Sequence, residues 1–146
     1  ALGGTAMMRA AQNALQTYGH ERPWLIAVTL LTSLAQEDLA ELGIDTSINT
    51  QALRLALLAR DAGLDGVVCA ALEVPSIKER CGKDFLTVTP GIRLVEGTSE
   101  DQVRVVNVEQ ALLLGSDYLV VGRPITRSND PKIVICDILS KLNRVC

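Results

Sequence analysis

With 146 residues, a net charge of −3 and a pI near 5.1, the chain has room for one domain with a real core. Its acidic balance argues against nucleic acid or an anionic membrane surface as partner, and no apolar run is long enough to span a bilayer. Hydrophobic residues make up 48% but aromatics only 3%, so the core has to be assembled from Leu, Val, Ile and Ala.

The chain opens Ala1-Leu2-Gly3-Gly4, with no initiator Met and no signal-peptide pattern, like a chain entered in the middle. Residues 5–18 read as a helix capped by Thr5, with Met7, Ala10, Ala11, Ala14 and Leu15 along its core face. Gly19 ends it. His20, the sole histidine, falls in a polar turn before a strand and reads as a solvent-exposed bystander. Leu25–Leu31 is a strand candidate ending at Thr32-Ser33. Ser33 with Gln36 three residues on forms a capping box for a short helix that Gly43 closes.

A longer helix covers 48–62, with Gly63 as its left-handed stop. Leu64–Ala70 is a turn feeding a short buried strand, and Cys69 inside it reads as a buried free thiol. Another helix spans 74–81 with Pro75 in its first turn. Phe85–Thr89 is a strand that breaks at Pro90-Gly91-Ile92-Arg93. A polar loop runs from Glu96 to Gln102, and a helix at 107–114 is stopped by Gly115. Tyr118–Val121 has no polar alternation and reads as a strand covered on both faces, as in a parallel sheet. Asp130-Pro131 opens a last helix at 131–143, with Ile135, Ile138, Leu139 and Leu142 facing the core. The remaining cysteines, Cys81, Cys136 and Cys146, form with Cys69 no CxxC or metal-ligand spacing, which fits a reducing cytosol and names no metal site.

Gly63-Leu64-Asp65-Gly66-Val67-Val68 and Gly115-Ser116-Asp117-Tyr118-Leu119-Val120 repeat one device: helix stop, one residue, Asp, one residue, apolar strand. Helices alternating with strands in this way are the grammar of a parallel α/β fold. An open doubly wound sheet usually carries a Gly-rich phosphate loop, and no such motif exists here. A barrel instead gathers polar residues at the carboxyl ends of its strands, often with phosphate at the last two strand loops. Thr32, Arg93 and Gly122-Arg123 follow that pattern. Gly122 lets a ligand approach the backbone, and Arg123 offers a forked cation suited to phosphate. A strand-end Arg that only pairs with a nearby carboxylate is the alternative. A full barrel has eight strands in about 250 residues, so four strands read as its second half.

The segments Leu25–Ser33, Gly63–Ala70, Leu86–Arg93, Asp101–Arg104 (DQVR) and Tyr118–Thr126 (YLVVGRPIT) together resemble the bacterial orotidine 5′-phosphate decarboxylase family, in order and with its spacing. Gly3–Met8 also looks like the family's segment just after its fourth strand. The resemblance implies one partial domain over 1–146: α/β, the C-terminal half of a (β/α)8 TIM barrel, with parallel strands alternating with helices. It runs from the helix after the fourth strand to the C-terminal helix. It implies conversion of orotidine 5′-monophosphate to UMP and carbon dioxide, in pyrimidine biosynthesis, by a cytoplasmic homodimer with no metal or organic cofactor. By the same resemblance Arg123 and the Gly122 amide hold the 5′-phosphate, Gln102 and Arg93 belong to the substrate-binding set, and Thr32 contacts the pyrimidine. The family's catalytic centre, a D-x-K-x-x-D segment plus a second Lys, has no counterpart here. Lys83 precedes a strand and Lys78, Lys132 and Lys141 sit on helices, so no residue is named catalytic. Ala70 stands where the family often has Ser. Two rivals are another phosphate-binding barrel of the sugar-phosphate decarboxylase or aldolase kind, and a half-barrel without catalysis that serves assembly or nucleotide binding.

Overall fold

A computed structural model describes residues 1–94 and 104–145. Four parallel strands form one sheet in the order β1 (Ile26–Val28), β2 (Gly66–Val68), β3 (Leu86–Thr89), β6 (Tyr118–Leu119). Between β3 and β6 a parallel pair, β4 (Ile92–Arg93) and β5 (Val106–Asn107), sits beyond the end of β3. The helices are α1 (Gly4–Leu15), α2 (Gln36–Glu41), α3 (Ile48–Asp61), α4 (Val74–Cys81), α5 (Val108–Leu113), α6 (Arg123–Thr126) and α7 (Pro131–Val145). Parallel neighbours separated by helices give the expected α/β alternation.

Local chemistry explains most boundaries. Ser47 caps α3 by accepting the Thr50 N–H at 3.2 Å, and Gly63, at φ +86°, supplies the left-handed stop. Asn107 and Gln110 form a reciprocal capping box for α5, which ends at Gly115. Asp130 accepts the N–H groups of Lys132 and Ile133 and opens α7, with Pro131 at its first position.

Several expected details differ. Thr5 lies inside α1 rather than capping it, because the helix begins one residue earlier, at Gly4. The α1 face turned inward carries Met8, with Ala11 and Leu15 half-buried, whereas Met7 is exposed. Ser33 is not the cap of α2. Asp38 takes the Ala35 N–H at 2.6 Å, and Gln36 reaches forward to Thr46 and Ile48 instead. On α7 the inward stripe is Val134, Ile138 and Leu142, packed beside α5, which leaves Ile135 and Leu139 exposed.

The sheet has two unlike faces. Ala27, Val67, Thr87 and Thr89 point to the helices and are buried, and Val67 packs with Met8, Ala56, Ala59, Val74 and Ile77. Complete burial of a side chain such as Ile77 is worth about 1.5–3 kcal/mol. A second cluster joins Ile92, Val106, Val108, Ala111 and Ile138, and a third joins Leu30, Leu39, Ala52 and Leu55. The opposite face, through Ile26, Val28, Val68, Leu86, Val88 and Tyr118, is the barrel interior. There Val28, Tyr118 and Val120 remain 44%, 45% and 49% exposed. Tyr118–Val121 is therefore not covered on both faces: Leu119 and Val121 pack against the α5–α7 side, and their neighbours face an open interior.

Candidate functional site

The two ends of the sheet carry different chemistry. At the amino ends the repeated Asp is a structural clasp. Asp65, which begins β2, accepts the Leu25 N–H of the neighbouring strand at 2.7 Å and both terminal nitrogens of Arg22 at 2.8 and 2.6 Å. Asp117, which begins β6, accepts the Thr87 N–H at 2.7 Å, the Thr87 hydroxyl at 2.8 Å and Lys78 Nζ at 2.6 Å. The Arg22 hydrogen bonds hold the Asp65 carboxyl below its usual range despite some desolvation. For Asp117 burial works upward, but the bonds from Lys78 and Thr87 outweigh it and the net shift is downward. Both groups hold neighbouring strands together.

The carboxyl ends carry the residues singled out for binding. Arg93 is half-buried on β4, four residues beyond Thr89 of β3. Gly122 and Arg123 follow β6, the neighbour of β3, whose Val120 N–H continues the ladder to the Thr89 carbonyl at 2.9 Å. Arg93 and Gly122-Arg123 thus leave adjoining strands at the same end. Gly122 precedes α6 with φ −102°, so it is not in the left-handed region, and a Cβ placed there would meet nothing within 4 Å. The open space beside it, rather than backbone strain, is what a glycine provides here. Arg123, half-buried, opens α6 and is followed by Pro124, which has no N–H.

Thr32 is buried and follows β1, at the far edge of the sheet from β6. The structure therefore does not set it beside Arg123; the two follow strands at opposite edges of the sheet. The sheet curls, since Trp24 before β1 and Tyr118 of β6 bring their ring centroids to 5.9 Å at the amino ends. Gln102 lies outside the described residues.

One pair at this end was not assigned a role from the sequence. Glu73, in the turn Ala71–Glu73 after β2, is buried and forms an ion pair with Arg104, whose other terminal nitrogen donates to the Leu31 carbonyl at 2.8 Å. Glu73 also accepts the Ala70 N–H at 2.9 Å. Burial pushes its carboxyl up, against the opposing pull of Arg104 and that amide. Arg104 stands in the DQVR motif, and a lone Glu between Leu72 and Val74 was the signal that it needed a buried cation.

The other groups are poor candidates. Burial pushes the Cys69 thiol up to about 12, so it is a packed side chain and not a nucleophile. His20 is exposed in the turn after α1. Lys78 is committed to Asp117 and the Lys83 and Phe85 carbonyls at the amino ends, and Lys141 lies beside Glu109 and Asp137 on the outer helices. Lys132 is also on α7. Among the described residues no group of three metal-ligating side chains converges, and no helix is long and apolar enough to cross a membrane.

This arrangement can bind an anionic group between adjoining strand ends, with a second contact surface across the mouth. Known proteins resemble the chain. Among curated proteins, orotidine 5′-phosphate decarboxylase of Legionella pneumophila (strain Paris) is 52% identical over 142 residues, which is 97% of this chain and 62% of the relative. The crystal structure of orotidine 5′-phosphate decarboxylase from Lactobacillus acidophilus superposes with a TM-score of 0.80 at 39% identity, covering 97% of this chain and 60% of that one. An uncharacterized conserved protein from Geobacillus kaustophilus gives 0.77 at 40% identity, over 96% and 60% of the two chains. The chain thus spans about three-fifths of the length of the relatives it matches, as expected for the C-terminal half of such a barrel. A family profile described as "Orotidine 5'-phosphate decarboxylase / HUMPS family" matches residues 1–137, and the chain belongs to that family.

Proposed function

We propose that this chain forms the phosphate- and pyrimidine-binding part of an orotidine 5′-phosphate decarboxylase. What supports the reading is the placement of Arg93 shortly after β3 and of Gly122-Arg123 after its neighbour β6, with open space at Gly122. Arg123 gives the 5′-phosphate a charge-assisted forked contact, and the Gly122 amide adds a backbone donor. Arg93 and Gln102 complete the substrate contacts, and Thr32 meets the pyrimidine from the β1 side. Phosphate binding remote from the reacting carbon orders the pyrimidine end, so that binding energy is spent where the bond breaks.

In a protein of the relatives' full length the reaction is decarboxylation of orotidine 5′-monophosphate to UMP. The bond from C6 to the carboxylate breaks, CO2 leaves, and the electron pair left on C6 takes a proton from a Lys. Asp residues beside that Lys disfavour the bound carboxylate. These 146 residues supply no Lys at a strand's carboxyl end, so the chain alone binds without turning over. The remaining expectations belong to the same proposal: one partial barrel domain over 1–146, no metal or organic cofactor, a cytoplasmic homodimer at full length, and a place in pyrimidine biosynthesis.

Thermal unfolding with UMP or ribose 5-phosphate tests the reading. UMP is expected to raise Tm more than ribose 5-phosphate, because only UMP reaches Thr32 as well as Arg123. A ligand at about a hundred times its Kd adds about 2.7 kcal/mol of stability, well within detection. Equal shifts favour a sugar-phosphate barrel, no shift with either rejects the site, and consumption of orotidine 5′-monophosphate by this chain alone overturns the division of labour.

A further inference from the structure

Glu73 and Arg104 meet with their side chains 1% and 9% exposed, which makes theirs the most deeply buried ion pair among the described residues. Its polar atoms are divided among three places. One Glu73 oxygen takes Arg104 Nη1, and the other takes the Ala70 N–H just after β2. Arg104 Nη2 crosses to the carbonyl of Leu31, just after β1, while Arg104 itself leads into β5. The backbone of Glu73 is held as well, its carbonyl accepting the Ser76 hydroxyl at 2.9 Å.

A buried ion pair is a weak source of net stability, because desolvating both ions offsets most of their attraction. What it does supply is direction. The guanidinium is a rigid fork, so binding Glu73 with one nitrogen fixes where the other must find its acceptor. That acceptor is the Leu31 carbonyl, and it belongs to the same planar peptide unit as the Thr32 N–H. Holding one atom of that plane orients the backbone on which Thr32 is carried. The Leu31 side chain is exposed; the same carbonyl also accepts the Leu34 N–H at 3.0 Å, and buried Leu30 anchors the residue before it, so the Arg104 bond adds a long-range hold to a local turn.

We propose that Glu73 and Arg104 are positioning residues of the nucleotide site: together they set the Leu31–Thr32 peptide and tie the end of β2 to it, facing Gly122-Arg123 across the mouth. The assignment rests on the reading of that mouth as a nucleotide site, and neither residue is given a ligand contact. It makes Thr32 correctly placed before any ligand arrives.

The test uses three variants: Glu73→Gln, Arg104→Lys, and the double variant Glu73→Leu/Arg104→Met, which replaces the pair by apolar groups of similar size. Three readouts are needed: Tm, the Thr32 amide resonance and its hydrogen exchange without ligand, and UMP affinity by titration. In the double variant Tm is expected to hold, while Thr32 exchange rises and UMP affinity falls, each on the order of tenfold or more, as misplacement at a binding site produces. Arg104→Lys keeps the charge but not the fork, and is expected to reproduce the Thr32 change; it carries the test if the double variant does not fold. Glu73→Gln keeps the acceptor for Ala70 and is expected to show a smaller change of the same kind. An unchanged Thr32 amide in Arg104→Lys and in the folded double variant overturns the proposal, whatever UMP does. A Thr32 amide that responds in a protein that binds no UMP leaves the positioning intact and removes the nucleotide reading instead.

Discussion

The amino and carboxyl ends of the same short strands are built on opposite principles. At the amino ends each of these two carboxylates takes partners from the chain itself: Asp65 from Arg22 and Leu25, Asp117 from Lys78 and Thr87. At the carboxyl ends the space beside Gly122 is open next to Arg123, and buried Thr32 follows the strand at the other edge of the sheet. Polar groups that clasp neighbouring strands stabilise a fold, whereas open space at a strand end beside a cation leaves room for a ligand. Substitutions at the two ends should therefore separate stability from binding.

Asp117→Ala tests the first half of that contrast most severely. It strands the Thr87 amide and removes one acceptor each from the Thr87 hydroxyl and the Lys78 ammonium, and should lower stability by about 2–3 kcal/mol in urea unfolding. Arg123→Met tests the second half. UMP affinity should fall on the order of thirtyfold, about 2 kcal/mol. An unchanged UMP affinity there would remove Arg123 from the site and erase the contrast.

Acid titration sharpens it further. The folded values of Asp65 and Asp117 lie below their unfolded ones, so their stabilisation is fully present above the ordinary carboxyl range. It is lost as pH falls from about 4 through the depressed values. Asp65→Asn should flatten that acid limb of the stability curve without moving UMP affinity at neutral pH. The smallest effect is expected at Ser47→Ala, which removes the cap of α3 for about 1 kcal/mol and touches neither end of the sheet.

What could be read in advance follows the range of the forces involved. The bounds of α4, the stops at Gly63 and Gly115 and the Asp130-Pro131 start of α7 are set within one turn of chain, so they were legible. The inward face of α1 was misjudged because Met7 and Met8 are equally apolar, and only the position of the neighbouring helix and sheet selects Met8. Ser33 lost its capping role to Asp38, a competition between two local acceptors that composition does not rank. Arg93, Gly122 and Arg123 were legible as strand-end residues because glycine and arginine interrupt apolar runs. Glu73 and Arg104 are 31 positions apart, and although Glu73 between apolar neighbours signals the need for a cation, nothing local says which one supplies it.

The paired clasps also bear on how so brief a sheet finds its alignment. Its strands are two to four residues long, too short for an alternating pattern to distinguish one register from the next. Asp65 lies opposite Leu25, and Asp117 opposite Thr87, and each takes the amide of the residue it faces. A slip by one position would turn the carboxylate toward the other face of the sheet and forfeit every bond it makes. Between β2 and β3, which lack such a clasp, a Cβ on Gly66 would come within 2.2 Å of the Leu86 carbonyl, so only glycine fits the observed offset. The sheet is thus indexed like a ruler, with two polar marks and one missing side chain, and the mouth at its far end inherits its alignment from them.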